Sequence, residues 1–296
     1  MSFLSRSYSD DTFFIYLHIQ KAAGMTMQKI LRRVFHGNRR IFQERLGRFI
    51  FSRPSLDLQN SLQSKEMADR FFQGHCCFGV HRYLPSPATY MTMLRHPLKR
   101  LISLYYYSVN NPTAYYHEHA QGKSLEAFLL DTELMELDNG MTRFVAGDEN
   151  DLFINRTAIG ECGPNLLEQA KQNLERAFCF VGTTEQFNKS IFSLAGILGK
   201  SHKHFFYIRE NVGKENSRKR IKLSDSTVNK ILDKNKLDLE LYSYAENLLD
   251  DSFQNVLAIM NISLYQFEEE LRDYQRRWQG IHKVSVHLRS RFKKAP

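Results

Sequence analysis

Lys21 heads a run of small residues, Ala22, Ala23 and Gly24, in HIQKAAGMT (residues 18–26). A lysine beside side chains too small to cover it offers a full positive charge where a ligand can come close to the backbone. Thr26 can cap a helix or lend a hydroxyl to a bound phosphate. A helix starting here also has orphan N–H groups and a positive dipole end, both of which favour an anion. A second cationic element is TMLRHPLKRLISLYYY (residues 92–107), with Arg95, Pro97, Arg100 and Ser103. An arginine fork grips a phosphate bidentately, and Ser103 can add a hydroxyl. His75 and His81 lie in GHCCFGVHRYLP (residues 74–85). A neutral imidazole is a good base near pH 7. Arg209, with the run SRKR at 217–220, adds further cations that suit an anionic ligand.

These residues need a scaffold that brings them together. Residues 13–19 are a short apolar run and predict a buried strand; from Thr26 the apolar positions Ile30, Leu31 and Val34 follow a helical period. The opening stretch is thus strand, tight turn, helix. Further strands are expected near 70–74, at 88–94 and at 178–182. Pro97 suits the first turn of a helix running to about Ser108. Helices are expected in pieces over 124–147, at 166–177 and at 185–198, with two or more across 226–278 broken near Asn261. Residues 37–69 read as loop with one short helix. Strands alternating with helices predict an α/β fold, a central parallel sheet flanked by helices with a helical C-terminal region. Ligands in such sheets bind at the carboxyl ends of strands, and His18 to Gly24, His75 and Arg95 all fall there. One domain is expected over 1–280, with a basic tail at 281–296.

Composition narrows the classes. The 296 residues are 42% hydrophobic and 25% charged, an ordinary globular balance. No apolar run approaches the ~20 residues of a membrane span. MSFLSRSYSDDT lacks the apolar core of a signal peptide, so a cytoplasmic protein with reduced cysteines at 76, 77, 162 and 179 is expected. No cysteine or histidine spacing suggests a metal. The net charge of +9 is local: residues 200–222 carry eight Lys/Arg against two acids, and 271–296 eight against one. Those patches call for an anionic partner. A polyanion- or nucleic-acid-binding protein using these segments is one alternative, with steep salt dependence and no need for Lys21. A nucleotide-dependent kinase is another, but both Gly-Lys-Ser triplets lack the Walker glycine: His117 and Leu194 stand in its place.

HIQKAAGMT resembles the 5′-phosphosulfate loop of sulfotransferases that use 3′-phosphoadenosine 5′-phosphosulfate (PAPS), in the carbohydrate branch that includes the heparan sulfate 2-O- and 6-O-sulfotransferases. Arg95, Pro97, Arg100 and Ser103 resemble that family's 3′-phosphate element, R-x-P-x-x-R-x-x-S. Similarity continues through GHCCFGVHRYLP, DNGMTRFVAG (138–147), FVGTTEQF (180–187) and YIRENVGK (207–214), covering about 13 to 214. The resemblance implies a P-loop-like sulfotransferase fold and transfer of a sulfuryl group from PAPS, without a metal, to a hydroxyl acceptor that is a sugar or glycan. It implies that Lys21 and the backbone of Ala22, Ala23, Gly24, Met25 and Thr26 hold the 5′-phosphosulfate, and that Arg95 and Ser103 hold the 3′-phosphate. His75 matches the family's Gly-His and is the expected base, with His81 the second choice and His18 orienting the loop. Asn139 and Arg143 match an N-x-x-x-R element and are expected, with His81 and Arg209, at the acceptor or donor. Nucleic acid is not an expected partner. Two departures stand out: Met25 replaces the usual Ser or Thr, and His96 the commoner Asp or Asn. The loss of one hydroxyl at Met25 also admits a family fold without turnover.

Overall fold

A computed structural model describes residue 8 and residues 12–35, 71–84, 87–131, 133–208 and 223–292, with side chains of the last helix described to residue 278. The segment 37–69 and Arg209 to Lys222 lie outside the described residues.

Among the described residues, four strands form one parallel sheet: β1 (Phe13–Leu17), β2 (Phe71–Gly74), β3 (Ala88–Leu94) and β4 (Phe178–Thr183), ordered β2-β1-β3-β4. Aromatic and β-branched residues dominate β1, and every residue of β4 is buried, as in a parallel sheet covered on both faces. Register aligns the strand ends: Leu17 pairs with Gly74 on one side and Thr92 on the other, and Leu94 pairs with Thr183. The Thr92 hydroxyl donates to the Leu17 carbonyl at 2.9 Å, fastening the carboxyl ends of β1 and β3 together.

Helix α1 (Gly24–Val34) follows β1, and α2 (Pro97–Asn110) follows β3 with Pro97 in its first turn. Two short helices, α3 (His117–Ala120) and α4 (Leu125–Leu129), lead to α5 (Gly140–Ala146), every residue of which is buried. Helix α6 (Pro164–Ala177) buries Leu167, Ala170 and Leu174 at helical spacing and leads straight into β4. Helix α7 (Phe187–Ile197) precedes α8 (Asp225–Lys234), α9 (Lys236–Leu257) and α10 (Leu264–Phe292). The break near Asn261 separates α9 from α10 as expected. The boundary expected at 281 falls inside α10, which continues without interruption.

The two helix starts at α5 and α9 are built from each other. Asn139, in a left-handed conformation (φ 52°), accepts with its Oδ1 from the N–H groups of Leu237 (3.0 Å) and Asp238 (3.3 Å). Asp238 in return accepts from the N–H groups of Met141 (3.1 Å) and Thr142 (2.7 Å). Each helix thus receives its N-terminal acceptor from the other.

Candidate functional site

The site is the corner where β1, β2 and β3 end. The chain leaves β1 through His18 and turns sharply: Lys21 has φ 65° and Ala23 φ 58°, two of the three described non-glycine residues with positive φ. Such positions are strained by roughly 1–3 kcal/mol each and cluster where a backbone must aim its groups. Ala22 and Gly24, interleaved with them, are not left-handed, a pattern that turns successive N–H groups toward one side and makes an anion nest. Helix α1 begins directly at Gly24. Its N-cap is Ala23, whose side chain offers no acceptor, and the first turn contains no acid. Thr26 therefore does not cap the helix; it stands inside the first turn. Met25 is 52% exposed.

Gly24 is required by contact. A Cβ there would lie 1.4 Å from His18 Nε2, so the imidazole occupies the space a side chain would need. His18 is held by the Gln28 side-chain amide, which donates to its Nδ1 (3.2 Å), and by its own backbone N–H, which donates to the Gly74 carbonyl (2.9 Å). Its ring stacks on His75, with centroids 4.1 Å apart. Nδ1 of His75 donates to the His18 carbonyl (2.8 Å). A carbonyl only accepts, so this bond puts the His75 proton on Nδ1 and the lone pair on Nε2. Burial is the main cause that lowers the His75 pKa to about 4; the His18 carbonyl opposes it and the Lys21 charge adds to it. Burial likewise holds His18 well below the usual range, with His75 and Lys21 adding to the effect. Both rings are neutral near pH 7.

The second cationic element meets the first. Arg95 Nη1 donates to the Lys21 carbonyl at 3.0 Å, so the arginine at the end of β3 braces the strained turn after β1. The Lys21 ammonium lies 4.0 Å from the ring centroid of Tyr107, a residue on α2 that is 43% exposed. Tyr107 stands one helical turn beyond Ser103, which is buried on the same helix. Lys21 is thereby held at its backbone by Arg95 and at its ammonium by an aromatic face.

Three expected site residues lie elsewhere. Arg143 is fully buried: Nε donates to the Asp138 carbonyl, Nη1 to the carbonyls of Asn155 and Thr157, and Nη2 to Asp138 Oδ2 at 2.6 Å. It organises the chain after α5. Asn139 is occupied in the α5–α9 interlock. Asn139 precedes α5 as its N-cap and Arg143 lies within it; that helix is buried on every side, so neither residue presents an exposed contact. His81 is tied to Tyr90, which receives its backbone N–H (2.9 Å) and contacts its Nδ1 (2.8 Å). Tyr90 lies four residues before the end of β3, roughly 13 Å along the strand, so this anchor draws His81 back from the corner. Arg209 lies outside the described residues.

The corner also contains residues that motif spacing did not single out. Gln28 fixes the His18 ring from one turn further along α1, a role signalled only by its helical offset from Gly24. Of Tyr105, Tyr106 and Tyr107, Tyr107 alone is exposed. Arg100, a member of the R-x-P-x-x-R-x-x-S element, is 0% exposed and pairs with Glu136 at 2.5 Å and Asp238 at 3.7 Å.

A model described as the sulfotransferase family matches residues 7–245. No curated protein matches the chain.

Proposed function

The chain belongs to the sulfotransferase family, and we propose that it transfers a sulfuryl group from PAPS to a hydroxyl of a carbohydrate, using Lys21, Arg95, Ser103 and His75. One observation carries this reading: two cationic motifs more than seventy residues apart in the chain meet at one corner, the Arg95 guanidinium touching the Lys21 carbonyl. The residues fit a donor with phosphates at two positions. The strained turn and uncapped start of α1 suit the 5′-phosphosulfate, and the close backbone approach needs the small residues Ala22, Ala23 and Gly24. Arg95 and Ser103 suit the 3′-phosphate.

The bound donor supplies an activated sulfuryl group whose bridging oxygen leaves with the 5′-phosphate. The protein's work is positioning and charge stabilisation. Lys21 and the first N–H groups of α1 hold the oxygen on which negative charge grows. His75 Nε2 takes the proton of the attacking hydroxyl as its oxygen bonds to sulfur, and Nδ1 stays on the His18 carbonyl throughout. Burial holds the His75 pKa low, and the Lys21 charge adds to it. A polyanionic donor beside Lys21 raises it toward the operating pH, where a base is most effective.

The test is thermal stability against 3′-phosphoadenosine 5′-phosphate, the expected product, without metal. A ligand at 100 times its dissociation constant adds about 2.7 kcal/mol. Lys21→Ala and Arg95→Ala should both shrink the shift. Absence of any shift in the wild type overturns the donor. A shift without sulfate transfer to any sugar acceptor, or transfer that His75→Ala leaves intact, overturns the acceptor or the base.

A further inference from the structure

The family match ends at residue 245, and α10 begins beyond it at Leu264. This helix packs on residues 206–207 and shares a cleft with α1. The Gln275 amide donates to the Tyr207 carbonyl at 3.1 Å, and the Tyr274 ring lies 5.5 Å from that of Phe206. On the facing side, the Arg33 guanidinium of α1 donates to the Phe206 carbonyl. Between α1, residues 206–208 and α10 there remains a cleft of about 210 Å³, whose lining includes Thr26, Lys29, Arg33, Tyr207, Tyr274 and Trp278.

Thr26 lines the cleft from the first turn of α1, two residues after Gly24, so the cleft reaches the start of that helix. Tyr274 and Trp278 are four residues apart, so both project from one face of α10. Trp278 is 42% exposed, a large indole left partly open beside a cationic helix. Flat aromatic walls with Lys29 and Arg33 opposite are the chemistry that holds a nucleobase near its phosphates.

We propose that α10 forms the base-binding wall of the donor site, with Trp278 and Tyr274 receiving the purine ring of a nucleotide whose 5′-phosphate lies at the start of α1. This deepens the donor reading and rests on it. It makes a helix outside the family match a working part of the site.

Trp278 is the single tryptophan of the chain, so the protein carries its own reporter. Full-length protein is titrated with 3′-phosphoadenosine 5′-phosphate while tryptophan emission and acrylamide quenching are followed, and the same titration is run by calorimetry. The expected result is a saturable emission change and loss of acrylamide access, both with the calorimetric dissociation constant. The base-free 1-deoxyribose 3,5-bisphosphate should bind without shielding the indole. Trp278→Ala should weaken the nucleotide about tenfold and the base-free ligand not at all, while Trp278→Phe restores affinity. Calorimetric binding with an unshielded indole and unchanged Trp278→Ala affinity overturns the role of α10 and leaves the donor reading standing. Shielding by an acceptor saccharide in place of the nucleotide also overturns it. No calorimetric binding at all sinks both.

Discussion

At the corner where β1 and β3 end, Lys21 and Arg95 line an uncapped helix start. Beneath α2 and α9, charges of the same kinds are sealed from water: Arg100 lies between Glu136 and Asp238, and Arg143 lies against Asp138, all buried. Gly140 leaves room for the first of these, because a Cβ there would come within 2.7 Å of Arg100 Nη2. Burial raises the pKa of both Glu136 and Asp238, and Arg100 opposes it in each case. Arg95 and Arg100 belong to the same short stretch of chain, one at a strand end and one a turn into a helix. Arg100 and Arg143 are structural cations because carboxylates have been folded around them.

That contrast predicts opposite phenotypes. Arg100→Ala leaves two buried carboxylates without their partner and should destabilise the protein by about 3–5 kcal/mol, read from urea midpoints. Lys21→Ala should do the reverse: a urea curve close to wild type, with turnover reduced about 10²–10³-fold if the residue stabilises the leaving oxygen. A large loss of stability in Lys21→Ala, or a stable but inactive Arg100→Ala, would erase the distinction.

Gly24→Ala bridges the two regions, since it forces the His18 ring to move. A loss of about 1–3 kcal/mol is expected, together with a loss of nucleotide binding, measured on the same sample. The two neutral imidazoles give a pH effect with a definite sign. Their pKa values lie below the unfolded value of 6.5, so the unfolded chain binds more protons in that interval. Their contribution is complete above pH 6.5 and is lost as pH falls toward 4. Urea midpoints should decline over that window, and less steeply in His75→Gln. The smallest effect belongs to Tyr107: Tyr107→Leu removes a cation–π contact of about 0.5–2 kcal/mol and should lower kcat severalfold, with Tyr107→Phe close to wild type.

Much of this frame is legible in the residues alone. The bounds of β3 agree with the reading, β2 differs by one residue, and β1 is shorter by Ile19 and His18, which leave the sheet to build the turn. Apolar runs and helical periods report burial directly, so these elements announce themselves. Lys21, Gly24, Arg95 and His75 lie together because strand ends in a parallel sheet converge. Arg143 and Asn139 lie away from the corner for a physical reason: residue spacing does not say what covers a helix, and α9, nearly a hundred residues downstream, covers this one. His81 is drawn away too: proximity in a loop says nothing about which rung of the sheet anchors it. The Tyr107 contact arises from the bend of the turn at Lys21, which only three-dimensional coordinates reveal.

The exchange of acceptors between Asn139 and Asp238 ties together two points far apart along the polypeptide. Neither start can be completed by its own neighbourhood, so a fragment truncated before residue 235 would retain the α5 segment with its first amides unanswered. Ribosomal synthesis must therefore deliver α9 before the middle of the molecule can close, and protease-resistant intermediates should not accumulate from shorter chains.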